Sequence, residues 1–299
     1  MELLKFRQLK EKISSRAMLA MTGFASALFI LIFLLLLSKS SLVISKYSIT
    51  DLLFSSNWDP ERYNFGFYPA IVGTFYVTLI SMAIAVPISL LSAIYISEYS
   101  SPNVRKYFSS FIDVLAGIPS VVFGICAVIV FVPFVSDYLG PWLGVETTGM
   151  CIFTAGLILA VMVFPIIISL SVESLRALPI ELREAPLSMG ATKWESIKHV
   201  LLKAAGPGII SSVLLGFGRA FGETMAVAMV IGGKNQITSM FSAGQTMPSV
   251  IISSFGEMMS VPMEQSALVF VALVLFIMVT IFNTLARVIN GRLKERWKI

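Results

Sequence analysis

Charge is scarce in this chain. Asp, Glu, Lys and Arg together make up 13% of its 299 residues, about half the ~25% usual in soluble domains. Histidine occurs once, at His199, and cysteine twice, at Cys126 and Cys151. A structural zinc site or a disulfide framework needs more cysteine, or histidine at metal spacing, so neither is expected. Both cysteines fall in apolar runs, where a thiol behaves as a small hydrophobe. One histidine also cannot furnish the nucleophile–base pair or metal cluster that a membrane enzyme would need. Gly-x-Ser-x-Gly and His-Glu-x-x-His do not occur. A Walker loop is missing too, because Gly233-Lys234 runs into Asn235 and the first glycine position is Ala228. No catalytic or metal-binding residue is assigned, and the chain is not expected to hydrolyse ATP itself.

What is abundant is apolar. Hydrophobic residues make up 57% of the chain, more than a water-soluble globule of this length can hide. Disorder, collagen and nucleic-acid-binding tails are excluded on the same grounds. Six stretches, 17–37, 70–96, 108–135, 150–172, 207–231 and 266–289, are long enough to cross a bilayer core. The expected fold is therefore an all-α membrane protein with six transmembrane helices, lipid being its main solvent. The first stretch follows basic residues, as a signal peptide would. Its core from Ala17 to Leu37 exceeds a signal h-region of ~7–15 residues, and no small-x-small site follows, so it is expected to stay as an uncleaved helix.

Six spans put both termini on one side. That side carries 17 Lys+Arg, in 1–16, 97–107, 173–206 and from Arg287 onward. The other carries 4, namely Lys39, Lys46, Arg62 and Lys234, and Arg219 lies within a span. By the positive-inside rule both termini are cytoplasmic, and the net charge of +5 reports topology, with no need for nucleic acid. The chain divides into a cytoplasmic tail 1–16, a first helix with its outer loop 17–69, a five-helix core 70–290 with a cytoplasmic loop 173–206, and a tail 291–299. On the outer side, Pro248 to Met258 suits an interfacial helix or plug, or equally a loop on the membrane surface.

The loop between spans four and five carries the most specific local pattern. Pro179 suits a first helical position, with Glu181 in the first turn. Gly190 suits the place just past a helix C-terminus. Thr192 with Glu195 three residues on makes a capping box for a second helix. Pro186 is expected to kink or end the first helix. Helix, glycine elbow and helix would present a short rigid helix to a soluble partner, and an ordinary interfacial hairpin would read the same way.

These residues resemble a family. Glu184-Ala185, Gly190, and Val200 and Leu202 beyond it follow the EAA motif of ABC importer permeases, with Pro186 and Lys203 departing from the usual Ala and Pro. Ala116-Gly-Ile-Pro-Ser-Val-Val-Phe-Gly124, Gly218-Arg-Ala-Phe-Gly-Glu-Thr-Met-Ala-Val227, Phe67-Tyr-Pro-Ala-Ile-Val-Gly-Thr74 and Ala93-Ile-Tyr-Ile-Ser-Glu-Tyr99 narrow it to the phosphate-importer permeases. The leading helix and long outer loop resemble the C-type of their two paired subunits. The resemblance implies the type I importer permease fold in the cytoplasmic (inner) membrane, with 173–206 as the coupling loop and Glu184, Ala185 and Gly190 at the ATPase contact. It also implies a homologous second permease subunit, two ATPase subunits carrying ATP and Mg²⁺, and an extracytoplasmic phosphate-binding protein. No cofactor is expected on this chain. Permeases for molybdate, sulfate or phosphonate remain as alternatives. An ATP-independent secondary transporter would leave the structured loop without a purpose.

Ionisable residues inside the membrane are the candidates for the substrate pathway. Arg219 lies near the middle of 207–231, and Glu223, four residues on, is expected one turn along the same helical face. A charge there costs ~2.5–3.5 kcal/mol on insertion scales, so it needs a partner or water. The pair reads either as helix-to-helix glue or as an anion site, since a simple pair leaves several guanidinium donors unspent. Gly218 and Gly222 fit a small-xxx-small packing pattern. Pro119 and Ser120 mark a break in span three. The break suits either a half-helix N-terminus facing an anion or an ordinary proline kink.

Overall fold

The computed structural model describes residues 2–236 and 239–296. Among these the chain is helical, apart from a two-stranded ribbon pairing Trp58 with Phe65 and Asp59 with Asn64. Besides the short helix Ile49–Phe54, the helices are α1 (Glu2–Lys46), α2 (Tyr68–Tyr99), α3 (Pro102–Gly117), α4 (Ser120–Leu143), α5 (Ile152–Arg176) and α6 (Glu181–Ser188). They continue as α7 (Lys193–Ala204), α8 (Gly206–Gly222), α9 (Met225–Val230), α10 (Met247–Met258) and α11 (Pro262–Arg296). Five of them, α1, α2, α4, α5 and α11, are long and apolar enough to span a bilayer. The bent pair α7 and α8, meeting at 70°, accounts for a sixth. Leu31, Leu34, Leu79, Ile129 and Ile281 all remain exposed, as side chains solvated by lipid would be. The chain is a multi-pass membrane protein.

Three expectations need correction. Span three does not run from 108 to 135. Ile118 and Pro119 are both extended (ψ 128° and 143°), so 108–117 ends the separate helix α3 and the span is Ser120–Leu143. Proline both disfavours helix in the residue before it and pre-sets the start of the next. The break marked by Pro119 and Ser120 is thus a full interruption, and the bounds of the span, not the break, need correcting. The span at 207–231 is likewise divided, because α8 stops at Gly222 and α9 starts at Met225. Pro186 neither ends nor breaks α6, which runs on to Ser188 while the Pro186 carbonyl accepts from the N–H groups of Met189 and Ala191.

α5 is the most deeply buried span, and α1 the least, with no residue of its apolar window buried. Val77 and Ala85 of α2, Ile158, Leu159, Val163 and Ile167 of α5, and Ala226, Val227 and Val230 of α9 form the main core. Small residues let these helices approach, which is how packing substitutes for a hydrophobic driving force in lipid. The packing glycines in α8 are Gly208, where a Cβ would overlap the Ser174 side chain, and Gly216, where it would meet Ile167 and Val163 at 2.8–2.9 Å. Gly222 faces open space and Gly218 meets only Asn283 Oδ1 at 3.4 Å, so the expected Gly218/Gly222 contact face is not formed within this chain. The Ser171 and Ser212 hydroxyls, 2.8 Å apart, join α5 to α8.

The segment from Pro248 to Met258 packs on the core as a helix, not a loop. Thr246 and Ser249 cap α10 reciprocally, and the Met247 N–H donates to the Thr74 hydroxyl of α2 at 2.9 Å. Beside this bond a Cβ on Gly73 would overlap the carbonyl oxygen of Gln245. Backbone cannot swing aside as a side chain can, so Gly73→Ala is expected to cost about 1–3 kcal/mol. A lowered thermal midpoint of the detergent-solubilised subunit would register it, and an unchanged midpoint would refute the close approach.

Candidate functional site

α4 and α9 both restart helix within apolar stretches of the sequence, and they lie side by side. Gly124 makes the contact, since a Cβ there would sit 2.5 Å from Met229 Sδ and 3.2 Å from Ala226 Cα. Both helices end on the same side. There Thr147 Oγ1 donates to the Phe241 carbonyl at 2.7 Å and Gly244 N–H to that of Ile231 at 2.9 Å. The Gly124 contact sets the second turn of α4 against α9, so the breaks at Ile118-Pro119 and Glu223-Thr224 each stand within about two turns of that contact. Pro119 offers no side-chain cap to the first turn of α4.

The Arg219–Glu223 pair is not formed as expected. Helical spacing assumed a continuous helix, but Glu223 is extended (ψ 131°) just past the end of α8. Its Oε1 instead accepts from the Ala226 N–H at 3.4 Å, capping α9, and the Thr224 hydroxyl donates to the Gly222 carbonyl at 3.1 Å. Arg219 is in the last turn of α8, where the helix dipole favours a cation. Among the described residues it has no hydrogen bond and no ion pair. Leu215, Arg219 and Gly222 form one exposed stripe on α8, and Pro119 is exposed with Ser120 half-buried at the start of α4. A guanidinium facing hydrocarbon is costly, so this stripe suits water or a protein partner rather than lipid.

The second site is the loop between α5 and α8. Gly190 stands just past α6 at φ +89°, a conformation that L side chains resist. Thr192 and Glu195 form the expected capping box, with the Thr192 N–H donating to Glu195 Oε2 at 2.7 Å and the Glu195 N–H to Thr192 Oγ1 at 3.3 Å. These bonds to the Thr192 backbone and hydroxyl hold the Glu195 carboxyl below the usual carboxylate range. α6 starts at Glu181, two residues after Pro179. Glu184, Ala185 and Gly190 are exposed, and apolar side chains surround them: Ile180, Leu187, Met189 (88% exposed) and Trp194. This is a rigid, two-turn helix with an uncovered apolar tip.

Two residues given no role by sequence reasoning hold this loop in place. Arg183 of α6 donates to Glu98 at the end of α2, through Nε to Oε2 at 3.4 Å and Nη2 to Oε1 at 3.3 Å. It also donates to the carbonyls of Leu175 (2.7 Å) and Leu178 (2.9 Å) at the end of α5. Arg105 closes the end of α2 in the same manner, donating to the carbonyls of Ile96, Ser97 and Ser100. The available signal was Glu98 itself. An acid at a helix C-terminus opposes the dipole and calls for a cation from elsewhere.

Residues 85–298 match the family described as binding-protein-dependent transport system inner membrane component. The probable ABC transporter permease protein YqgH of Bacillus subtilis is 34% identical over 278 residues, covering 92% of this chain and 88% of that one. The phosphate transport system permease protein PstC of Haemophilus influenzae is 33% identical over 292 residues, covering 90% and 92%. Among solved structures, the inward-facing MetNI methionine ABC transporter aligns with a TM-score of 0.58 at 19% identity, covering 79% of this chain and 99% of that one, a likeness of fold. With the helix–glycine–helix loop formed at the end of α5 and the match running through it, the chain belongs to the binding-protein-dependent transport system inner membrane component family.

Proposed function

We propose that this chain is the membrane-spanning permease subunit of an ATP-driven importer of inorganic phosphate. The observation that carries the anion reading is Arg219, exposed in the last turn of α8 with its five N–H donors unspent among the described residues. Such a fork matches the edge of a phosphate group. The starts of α4 and α9 add backbone N–H groups at neighbouring helix termini, so Pro119 and Ser120 contribute geometry and Arg219 contributes charge. Glu223 keeps one oxygen on the α9 cap, leaving the other to accept from a protonated phosphate oxygen. The relatives named for phosphate transport support the same substrate.

In this reading the exposed tip of α6, with Glu184, Ala185 and Gly190, docks on a cytosolic ATPase. Two ATPase subunits bind ATP and Mg²⁺ there, and a homologous permease subunit faces the Arg219 stripe. An extracytoplasmic phosphate-binding protein delivers the substrate. The assembled complex in proteoliposomes should take up phosphate on ATP addition, resisting competition by sulfate and molybdate. Equal competition by either oxyanion would reassign the substrate.

Both termini are cytoplasmic in this proposal, following the distribution of Lys and Arg. With Cys126 replaced by serine, and Cys151 buried, an impermeant maleimide should label Ser56→Cys in intact cells. Lys198→Cys should react only after permeabilisation. Both positions are exposed, so labelling of Lys198→Cys from outside would invert the topology.

A further inference from the structure

We propose that Glu98 and Arg183 form a joint that holds the docking helix α6 at a set angle to α2 and α5, so that displacement of α6 moves both spans together. The inference rests on the reading of α6 as the ATPase-docking element, and it assigns the residues through which that element grips the membrane domain. Glu98 and Arg183 are 85 residues apart, and the Glu98 side chain is only 7% exposed. Neither helix needs this arrangement for itself, since the acid stands at the dipole end that disfavours it. Nor is the pair a good stabilising device, because apolar residues of similar volume usually serve a buried site as well or better. What an ion pair adds over apolar contact is direction.

The directions here are specific. Arg183 divides its donors between the Glu98 carboxylate on one span and the last carbonyls of another, Leu175 and Leu178. The Ser97 hydroxyl donates to Glu98 Oε1 at 2.7 Å and steadies the acceptor. Beneath the joint, Ile94, Leu175, Ile197, Leu201 and Ala205 form an apolar cluster that excludes water but could slide. Lys193 of α7 sits 4.6 Å above the Tyr99 ring, adding a second cationic contact to the end of α2. α8, by contrast, joins α7 through the 70° bend near Ala205. A push on α6 thus reaches α2 and α5 through Arg183, and α8 through the chain. Arg183 and Glu98 act here as positioning residues.

The test uses the complete importer in proteoliposomes, with phosphate uptake and ATP hydrolysis measured on the same vesicles. In Glu98→Gln and Arg183→Gln the ATPase subunits should stay bound, while uptake per ATP hydrolysed falls about tenfold. Because the pair acts as a unit, the double variant Glu98→Gln/Arg183→Gln should show no greater loss than the worse single variant. Proportional loss of uptake and hydrolysis, or no change in either, would overturn the proposal. If the single variants fail to assemble, the double variant leaves no charge buried and decides by the same ratio. Failure of that variant to assemble would also overturn it, since the pair would then be holding the fold. A wild-type chain that captures no ATPase would sink the docking reading itself, a result distinct from any of these.

Discussion

Arg219→Ala is expected to lower phosphate uptake by about ten- to a hundredfold, the loss of one charge-assisted contact being worth ~1.5–3 kcal/mol, with the amount of inserted subunit unchanged. The second half of that expectation follows from the geometry. Breaking a buried ion pair costs several kcal/mol of stability because it leaves a charge unpaired, but Arg219 is exposed and bonds to nothing among the described residues. Removing it should leave α8 intact. Arg219→Lys keeps the charge and loses the planar fork, so it should fall between alanine and wild type. Glu223→Gln retains an Oε1 acceptor for the Ala226 N–H, so the start of α9 should survive. Its amide can donate to a bare sulfate oxygen where the carboxylate would repel it. The ratio of phosphate to sulfate transport should therefore fall in Glu223→Gln. A well-inserted Arg219→Ala subunit importing phosphate at the wild-type rate would remove both residues from the pathway.

Gly190→Val should weaken capture of the ATPase by roughly five- to thirtyfold. The positive φ of +89° costs a non-glycine residue ~1–2 kcal/mol, and a β-branched one more. Space is not the obstacle, because a Cβ at Gly190 would meet nothing within 4 Å. The penalty is carried by the backbone. The chain can escape it by changing the turn between α6 and α7, which swings the exposed Met189 tip away from its docking direction. Gly190→Ala should give a smaller effect of the same sign, and Gly190→Asn the smallest, since Asn tolerates this region. Pull-down from solubilised membranes, at matched subunit levels, measures the series. Equal capture by all three would mean that the elbow angle does not set docking.

The spans were legible because lipid leaves little choice. A run of about 20 apolar residues in a bilayer must satisfy its backbone internally, so it must be helical. Thr192, Glu195 and Gly190 were legible for a similar reason, each answering a local demand of a helix end within four residues. The breaks inside spans three and five were legible to different degrees. Pro119 and Ser120 marked the first, but the apolar run from 108 to 135 does not distinguish a kink from a full stop, so the separate helix α3 reads as its first third. In span five, nothing in Gly222-Glu223-Thr224 announces that the helix stops, so Glu223 was set on a face it does not share with Arg219. The Glu98–Arg183 contact is a matter of tertiary placement. Only the misfit between Glu98 and its helix end could have prompted a search for the partner 85 residues on.

The long first helix has a consequence for how the protein is made. α1 rests against α11, its Phe29 ring 4.8 Å from that of Phe276, while Ser266 accepts from the Val43 N–H and donates to the Lys39 carbonyl. Those partners are separated by 223 and 227 residues. At ~5–20 residues per second, the first helix leaves the ribosome about ten to fifty seconds before the last one exists. Through that interval it has to be a stable resident of the bilayer by itself, which its uncharged stretch from Ala17 to Ser38 permits. Its docking then waits on α11, and nascent chains ending before Pro262 should carry α1 as a helix tethered to α2 but not docked on α11.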